Sequence, residues 1–271
     1  MIRAFGWNIE FLTGGYGIYP FDEIVRIIKV CSQVLGKPLW VNLGTLEREQ
    51  LEAIRPFTQG IVSSLETLNP ELHKKVCPDK PIEPYLEMMQ TARDLGFKQS
   101  FTLVIGLGET RDDVSYVKQL IKTYGFERVT VYALRPVRDT LYERGPSTEE
   151  MVWWIATLRT TFPEIEIIAG TAAHRIPEID LLLRAGANAF TKLPATRLFN
   201  SEKADIIEQE VKDSGRTLTS LFQTDDVEHL CDWRGILSQT DLTLEEQEEA
   251  YQKLFGYLAT MQKRREKRNA S

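Results

Sequence analysis

Ser63-Ser64-Leu65-Glu66 closes an apolar run, Gly60-Ile61-Val62, and an acid at the tip of a buried strand calls for a partner. A carboxylate can accept two hydrogen bonds at once, so Glu66 suits a vicinal diol such as a ribose. Other strand-like runs end in residues of complementary use. Gly14-Gly15 and Gly106-Leu107-Gly108 carry no side chains, which lets the backbone approach a ligand closely. Arg135 and Lys192 suit a ligand carboxylate. Asn42 and Gly170-Thr171 complete a set in which nearly every run ends in a polar or glycine-rich tip. Together these tips describe the rim of a binding mouth.

Elements of one recurring kind must bring such tips together. Short apolar runs, NIEFLTGG (8–15), LWVNLG (39–44), GIVSSLET (60–67), SFTLVIGLGET (100–110), RVTVYALRP (128–136), EIEIIAGT (164–171) and NAFTKLP (188–194), alternate with helical patterns. Ile24, Ile27, Ile28 and Cys31 recur at helical spacing over about 21–35. Further helices are expected over about 82–95, 148–161, 175–184 and 202–214, the second opened by the capping sequence Ser147-Thr-Glu-Glu150. The runs are continuously apolar rather than alternating, as in parallel strands covered on both faces. Seven consecutive strand–helix units predict an α/β barrel, in which the loops at the C-terminal strand ends converge. A doubly wound sheet is the alternative, but no G-x-G-x-x-G follows the first strand. The barrel is expected over 1–222 and a helical extension over 223–271, with a long helix from 244 to 267 behind Thr243 and Glu246.

Composition narrows the classes. The chain has 271 residues, 42% of them hydrophobic, enough for a sizeable core. A net charge of −6 with no basic face argues against nucleic acid as a partner. No apolar run is long enough for a membrane span, and MIRAFGWNIEF is not a signal peptide. Three cysteines, 31, 77 and 231, are odd in number and scattered, which suits a reduced cytosolic protein and no metal set.

TLEREQLEAI, SSLETLNPELHKKVCP, KPIEPYLEMMQTARDLGFK, IGLGETRDDV and LLLRAGANAFTKLPA together resemble the radical S-adenosylmethionine (SAM) enzymes, in their biotin synthase-like branch. The archaeal-type lipoyl synthases look closest, and the likeness runs over about 8–222. What the resemblance implies is a barrel of the TIM type with SAM at its mouth. Gly14-Gly15 matches the turn that holds the SAM amino group, with Tyr16 where the family often has an acid. Ser64 and Glu66 match the strand tip that holds the ribose, and Gly106, Gly108 and Glu109 belong to the turn beside the adenine. Arg135, Thr171 and Lys192 would face the substrate. That substrate is a small molecule or a group on a carrier protein, and an electron donor is the implied partner.

The same family binds a 4Fe–4S cluster through CxxxCxxC after its first strand, and this sequence contains no such motif. Seven of the eight expected units are present, so either the first unit lies upstream of Met1 or on another polypeptide, or the chain forms a partial barrel with a covered seam. The positions that hold the second cluster of biotin synthase appear as Phe11, Trp40, Ser100 and Glu166, none a suitable ligand, which favours sulfur insertion of the lipoyl type. The rival expectation is a cluster-free scaffold that binds SAM or a nucleotide and pairs with a cluster-bearing subunit.

Overall fold

The structure is a computed structural model, and it describes residues 1–14, 17–227 and 229–270. Seven parallel strands pair strictly in chain order: β1 (Leu12–Thr13), β2 (Leu39–Asn42), β3 (Thr58–Glu66), β4 (Lys98–Ile105), β5 (Arg128–Ala133), β6 (Glu166–Gly170) and β7 (Ala189–Thr191). Among the described residues β1 and β7 do not pair with each other, so the sheet curls into a partial barrel with a seam. Helices α1 (Phe21–Leu35), α2 (Arg48–Ile54), α3 (Pro70–Val76), α4 (Glu83–Asp94), α5 (Val114–Tyr124), α6 (Thr148–Thr161), α7 (Ile179–Arg184), α8 (Ala195–Leu198) and α9 (Glu202–Asp213) follow the strands. The α/β barrel of seven strand–helix units expected from the sequence is the observed fold.

The strands separate two environments by their alternation. Val41, Ile61, Leu65, Phe101, Leu103, Ile105, Val129, Val131, Ile167 and Ala169 point outward and form one cluster with the helices. Their neighbours point into the barrel and are mostly polar or small: Asn42, Gly60, Ser64, Ser100, Thr102, Thr130 and Gly170. Trp40, Arg128 and Tyr132 fill the remaining interior. The Arg128 guanidinium lies 4.2 Å from the Trp40 ring centroid, across the barrel from β5 to β2.

Both edge strands are shorter than the sequence suggests. Only Leu12–Thr13 pairs as β1, because the residues before it turn inward instead. Glu10 accepts a 2.6 Å hydrogen bond from the Tyr132 hydroxyl, and its carbonyl accepts one of 3.2 Å from Arg128 Nη1. At the other edge β7 ends at Thr191, where Lys192 adopts φ 66°. That left-handed conformation cannot continue a strand.

The last part of the chain holds α10 (Trp233–Ser238) and α11 (Leu244–Asn269). The capping box at Thr243 and Glu246 forms as its sequence requires. A second apolar cluster joins this region to the start of the chain: Phe5 and Phe199 stack at 4.6 Å and are covered by Val227, Trp233, Leu258 and Met261. Burial of each phenyl ring stabilises by about 2 kcal/mol. Trp7 Nε1 donates to the Leu221 carbonyl at 2.7 Å, so residues 1–7 belong physically with the extension.

Candidate functional site at the barrel mouth

At the tip of β3 the ladder slips: Ser64 pairs with Thr102, while Glu66 pairs with Leu103. This bulge at Leu65, with Glu66 held at φ 60°, bends the strand end and re-aims the carboxylate. A non-glycine residue in that conformation stores strain of about 1 kcal/mol and is worth explaining by function. Glu66 Oε1 accepts from Lys80 Nζ at 2.9 Å, with both side chains roughly a quarter exposed. Oε2 has no bonded group among the described residues, so half of the carboxylate is left unspent. One turn deeper, Ser64 Oγ accepts from Asn42 Nδ2 at 2.7 Å. That leaves the Ser64 hydroxyl proton available to a ligand.

The adjacent tip follows β4. Gly106 and Gly108 sit at φ 107° and 115°, a region that side chains avoid. A Cβ on Gly106 would press within 3.0 Å of Pro146 and 3.1 Å of Leu134. The Glu109 carboxylate accepts from the amides of Gly106 at 2.7 Å and Leu107 at 2.9 Å. Glu109 therefore shapes this turn, and its charge is spent there rather than on a ligand.

The remaining tips divide. Gly14 lines a cavity of about 670 Å³ with Leu43, Thr45 and Met88 beside the mouth, while Gly15 lies outside the described residues. Lys192 reaches inward, its ammonium 4.9 Å from the Tyr132 ring centroid. Arg135 is exposed on the loop after β5. Thr171 is buried, and its hydroxyl donates to Glu178 at 3.1 Å. Glu178 also receives Arg175 at 2.6 and 2.7 Å and Thr148 at 2.7 Å, so this cluster spends the Thr171 hydroxyl on tying the loops after β5 and β6 together.

Three groups near the site escape a reading of the sequence. Lys80, which pairs with Glu66, carries no local signal. Glu10 and Tyr132 lie 122 positions apart and meet only through barrel closure. Burial, reinforced by Glu10, pushes the Tyr132 hydroxyl far up, so it stays a donor. The short helix α3 had a legible start, Asn69-Pro70-Glu71, since asparagine caps and proline suits the first turn.

A cluster does not fit these residues. Cys31 packs on α1 against the core, Cys77 ends α3, and Cys231 packs in the second cluster. Burial raises all three thiols above their ordinary range, and Glu66 adds to this at Cys77. Among the described residues no group of three or more Cys, His, Asp or Glu side chains could hold a metal. The positions equivalent to further cluster ligands are filled: Trp40 lies flat on Gly60 beneath Arg128, which pairs with Glu166 at 2.7 Å. A cavity of about 540 Å³ opens at the opposite, N-terminal end of the strands, lined by Trp7, Lys37, Gln59, Lys98, Arg128 and Glu166. Its size suits a small ligand, and along the seam it extends to Thr191 and Lys192 at the tip of β7. The tips of β3 and β4 do not line it, however, and in such barrels chemistry sits at the C-terminal face. No described helix is long and apolar enough to cross a membrane.

With this geometry in view, the similarities are informative. Residues 2–121 match the model of the Radical SAM superfamily. An uncharacterised protein of Methanocaldococcus jannaschii is 32% identical over 234 residues, 84% of this chain and 63% of that protein. A biotin synthase of Nitrosopumilus maritimus is 29% identical over 174 residues, 62% of this chain and 53% of the enzyme. The chain thus spans between about half and two thirds of the length of these curated relatives. The crystal structure of a methylornithine synthase shares the fold, with a TM-score of 0.61 at 19% identity over 72% of this chain and 63% of that one.

Proposed function

Because residues 2–121 match the radical SAM superfamily, we propose that the mouth of this chain binds S-adenosylmethionine, with the adenosyl group laid across the tips of β3 and β4. The observation that carries this is Glu66, held by a bulge and a left-handed backbone with one carboxylate oxygen unspent. That oxygen and the Ser64 hydroxyl suit the ribose diol. The glycine turn 106–108 offers the adenine a backbone surface without side chains, and Gly14, with Gly15, serves the methionine end. When bound, and given one electron by a donor outside this chain, the sulfonium would supply the family's carbon–sulfur bond cleavage. The protein's own part is to orient it and to exclude water. On this reading Lys192, over the Tyr132 ring, meets a carboxylate of the substrate, and the exposed Arg135 meets a carrier protein or electron donor.

On this reading the reaction is of the biotin or lipoyl synthase kind, supported by the likeness to a biotin synthase. The scattered, protonated cysteines favour a second reading beside it: a cluster-free SAM-binding scaffold working with a cluster-bearing subunit. Calorimetric titration with S-adenosylhomocysteine tests the shared premise. The wild-type chain is expected to bind, and Glu66→Ala to lose about 10- to 100-fold in affinity, as for hydrogen bonds to a charged group. Equal affinity in the variant removes Glu66 from the site. Iron retained after anaerobic reconstitution of the chain alone favours the enzyme reading; none retained leaves the cluster to a segment or subunit outside this sequence.

A further inference from the structure

We propose that Asn69 and Asp113 are positioning residues that lock the loops after β3 and β4 into one unit and so set Glu66 against the Gly106–Gly108 turn; this rests on reading the mouth as an adenosyl site. The Asn69 amide is used at both ends. Its Oδ1 accepts from the amides of Glu71 at 3.1 Å and Leu72 at 3.2 Å, capping α3. Its Nδ2 donates to Asp113 Oδ1 at 2.8 Å, across to the neighbouring loop. Asp113 is buried, and its Oδ2 accepts from the Thr110 amide at 2.8 Å. Thr110 directly follows Glu109, whose carboxylate gathers the Gly106 and Leu107 amides. One uninterrupted chain of bonds therefore runs from three residues past Glu66 to the glycine turn.

Capping alone does not require asparagine. Serine or aspartate would cap α3 as well. Only asparagine among these adds an N–H donor for Asp113, and an aspartate at 69 would set one carboxylate against another. The choice of residue is explained by the link between loops. Lys80 closes the other side of Glu66, so the carboxylate has little freedom to drift.

The test uses the whole chain, S-adenosylhomocysteine as the probe, and both calorimetry and thermal unfolding. Asn69→Ser keeps the cap but replaces the amide that reaches Asp113 with a shorter hydroxyl, and is expected to weaken binding about tenfold, in line with one lost charge-assisted bond. Asn69→Asp is expected to weaken it further. The exchange Asn69→Asp with Asp113→Asn rebuilds the link with donor and acceptor reversed, and should recover affinity to within about threefold. A purely architectural pair would lower the melting temperature of these variants and leave the affinity of the folded fraction alone. That result, or a double variant no better than Asn69→Asp, overturns the proposal. A wild-type chain that fails to bind the probe overturns the adenosyl reading itself, and the proposal with it.

Discussion

Gly60→Ala is a small change with a large expected cost. A Cβ at this position would stand 2.4, 2.5 and 2.8 Å from three carbons of the Trp40 ring, closer than packed atoms approach. The ring cannot retreat freely, since the Arg128 guanidinium covers it at 4.2 Å and is itself held by Glu166 at 2.7 Å. Overpacking of this kind costs about 1–3 kcal/mol. Disturbing the guanidinium–indole stack in a half-dry interior adds about 1 kcal/mol. The sum, about 3 kcal/mol, corresponds to a fall in melting temperature of roughly 6–12 °C for a chain of this size. Thermal unfolding followed by circular dichroism, together with tryptophan emission compared with that of a Trp40→Leu variant, gives the readout. Trp40→Leu in the Gly60→Ala background should restore part of the loss, a coupling that additive sites would not show. A Gly60→Ala protein within about 0.5 kcal/mol of wild type would refute the packing argument, and with it the claim that this stack fills the barrel interior.

Other perturbations give equally direct outcomes. His73 is buried, and desolvation followed by the nearby Lys80 lowers its pKa in the fold. The unfolded chain therefore binds more protons as pH falls below the ordinary histidine value of about 6.5, and stability present at neutral pH is lost between there and the depressed folded value. Urea unfolding across this range should show that slope, and His73→Gln should flatten it; an unchanged slope removes His73 as its cause. Asn200 is fully buried at φ 58°, donates to the Met261 carbonyl at 3.1 Å and accepts from the Thr224 amide at 2.9 Å. Asn200→Ala leaves both partners unsatisfied and puts a Cβ residue without side-chain compensation in a left-handed position, for a cost of about 3 kcal/mol. Chemical denaturation measures it, and a loss under about 1 kcal/mol would show that water replaces both bonds.

Much of the architecture was legible in the chain because it depends on local pattern. Short runs rich in apolar and β-branched residues, such as 100–105, read as strands covered on both faces, and the boxes at Ser147 and Thr243 satisfy their own helix ends from within four residues. The identity of the strand tips was legible for the same reason: a residue that ends a strand in a parallel barrel reaches the mouth whatever follows. The use each tip is put to was not. Glu109 and Thr171 are rim residues by position, yet one carboxylate gathers two amides of its own turn and one hydroxyl serves Glu178. Hydrogen bonding depends on distances of a few tenths of an ångström, which no residue spacing specifies.

Tertiary closure decided what no local pattern encodes. Glu10 finds Tyr132, Trp40 finds Arg128, and Phe5 finds Phe199 only because the sheet curls and the last helix returns to the first residues. The sequence by itself determined which residues stand at the rim, since strand direction and side-chain alternation are set by neighbours in the chain. The fold determined which of them keep an unspent polar atom there, since that depends on every group that arrives from elsewhere to claim it.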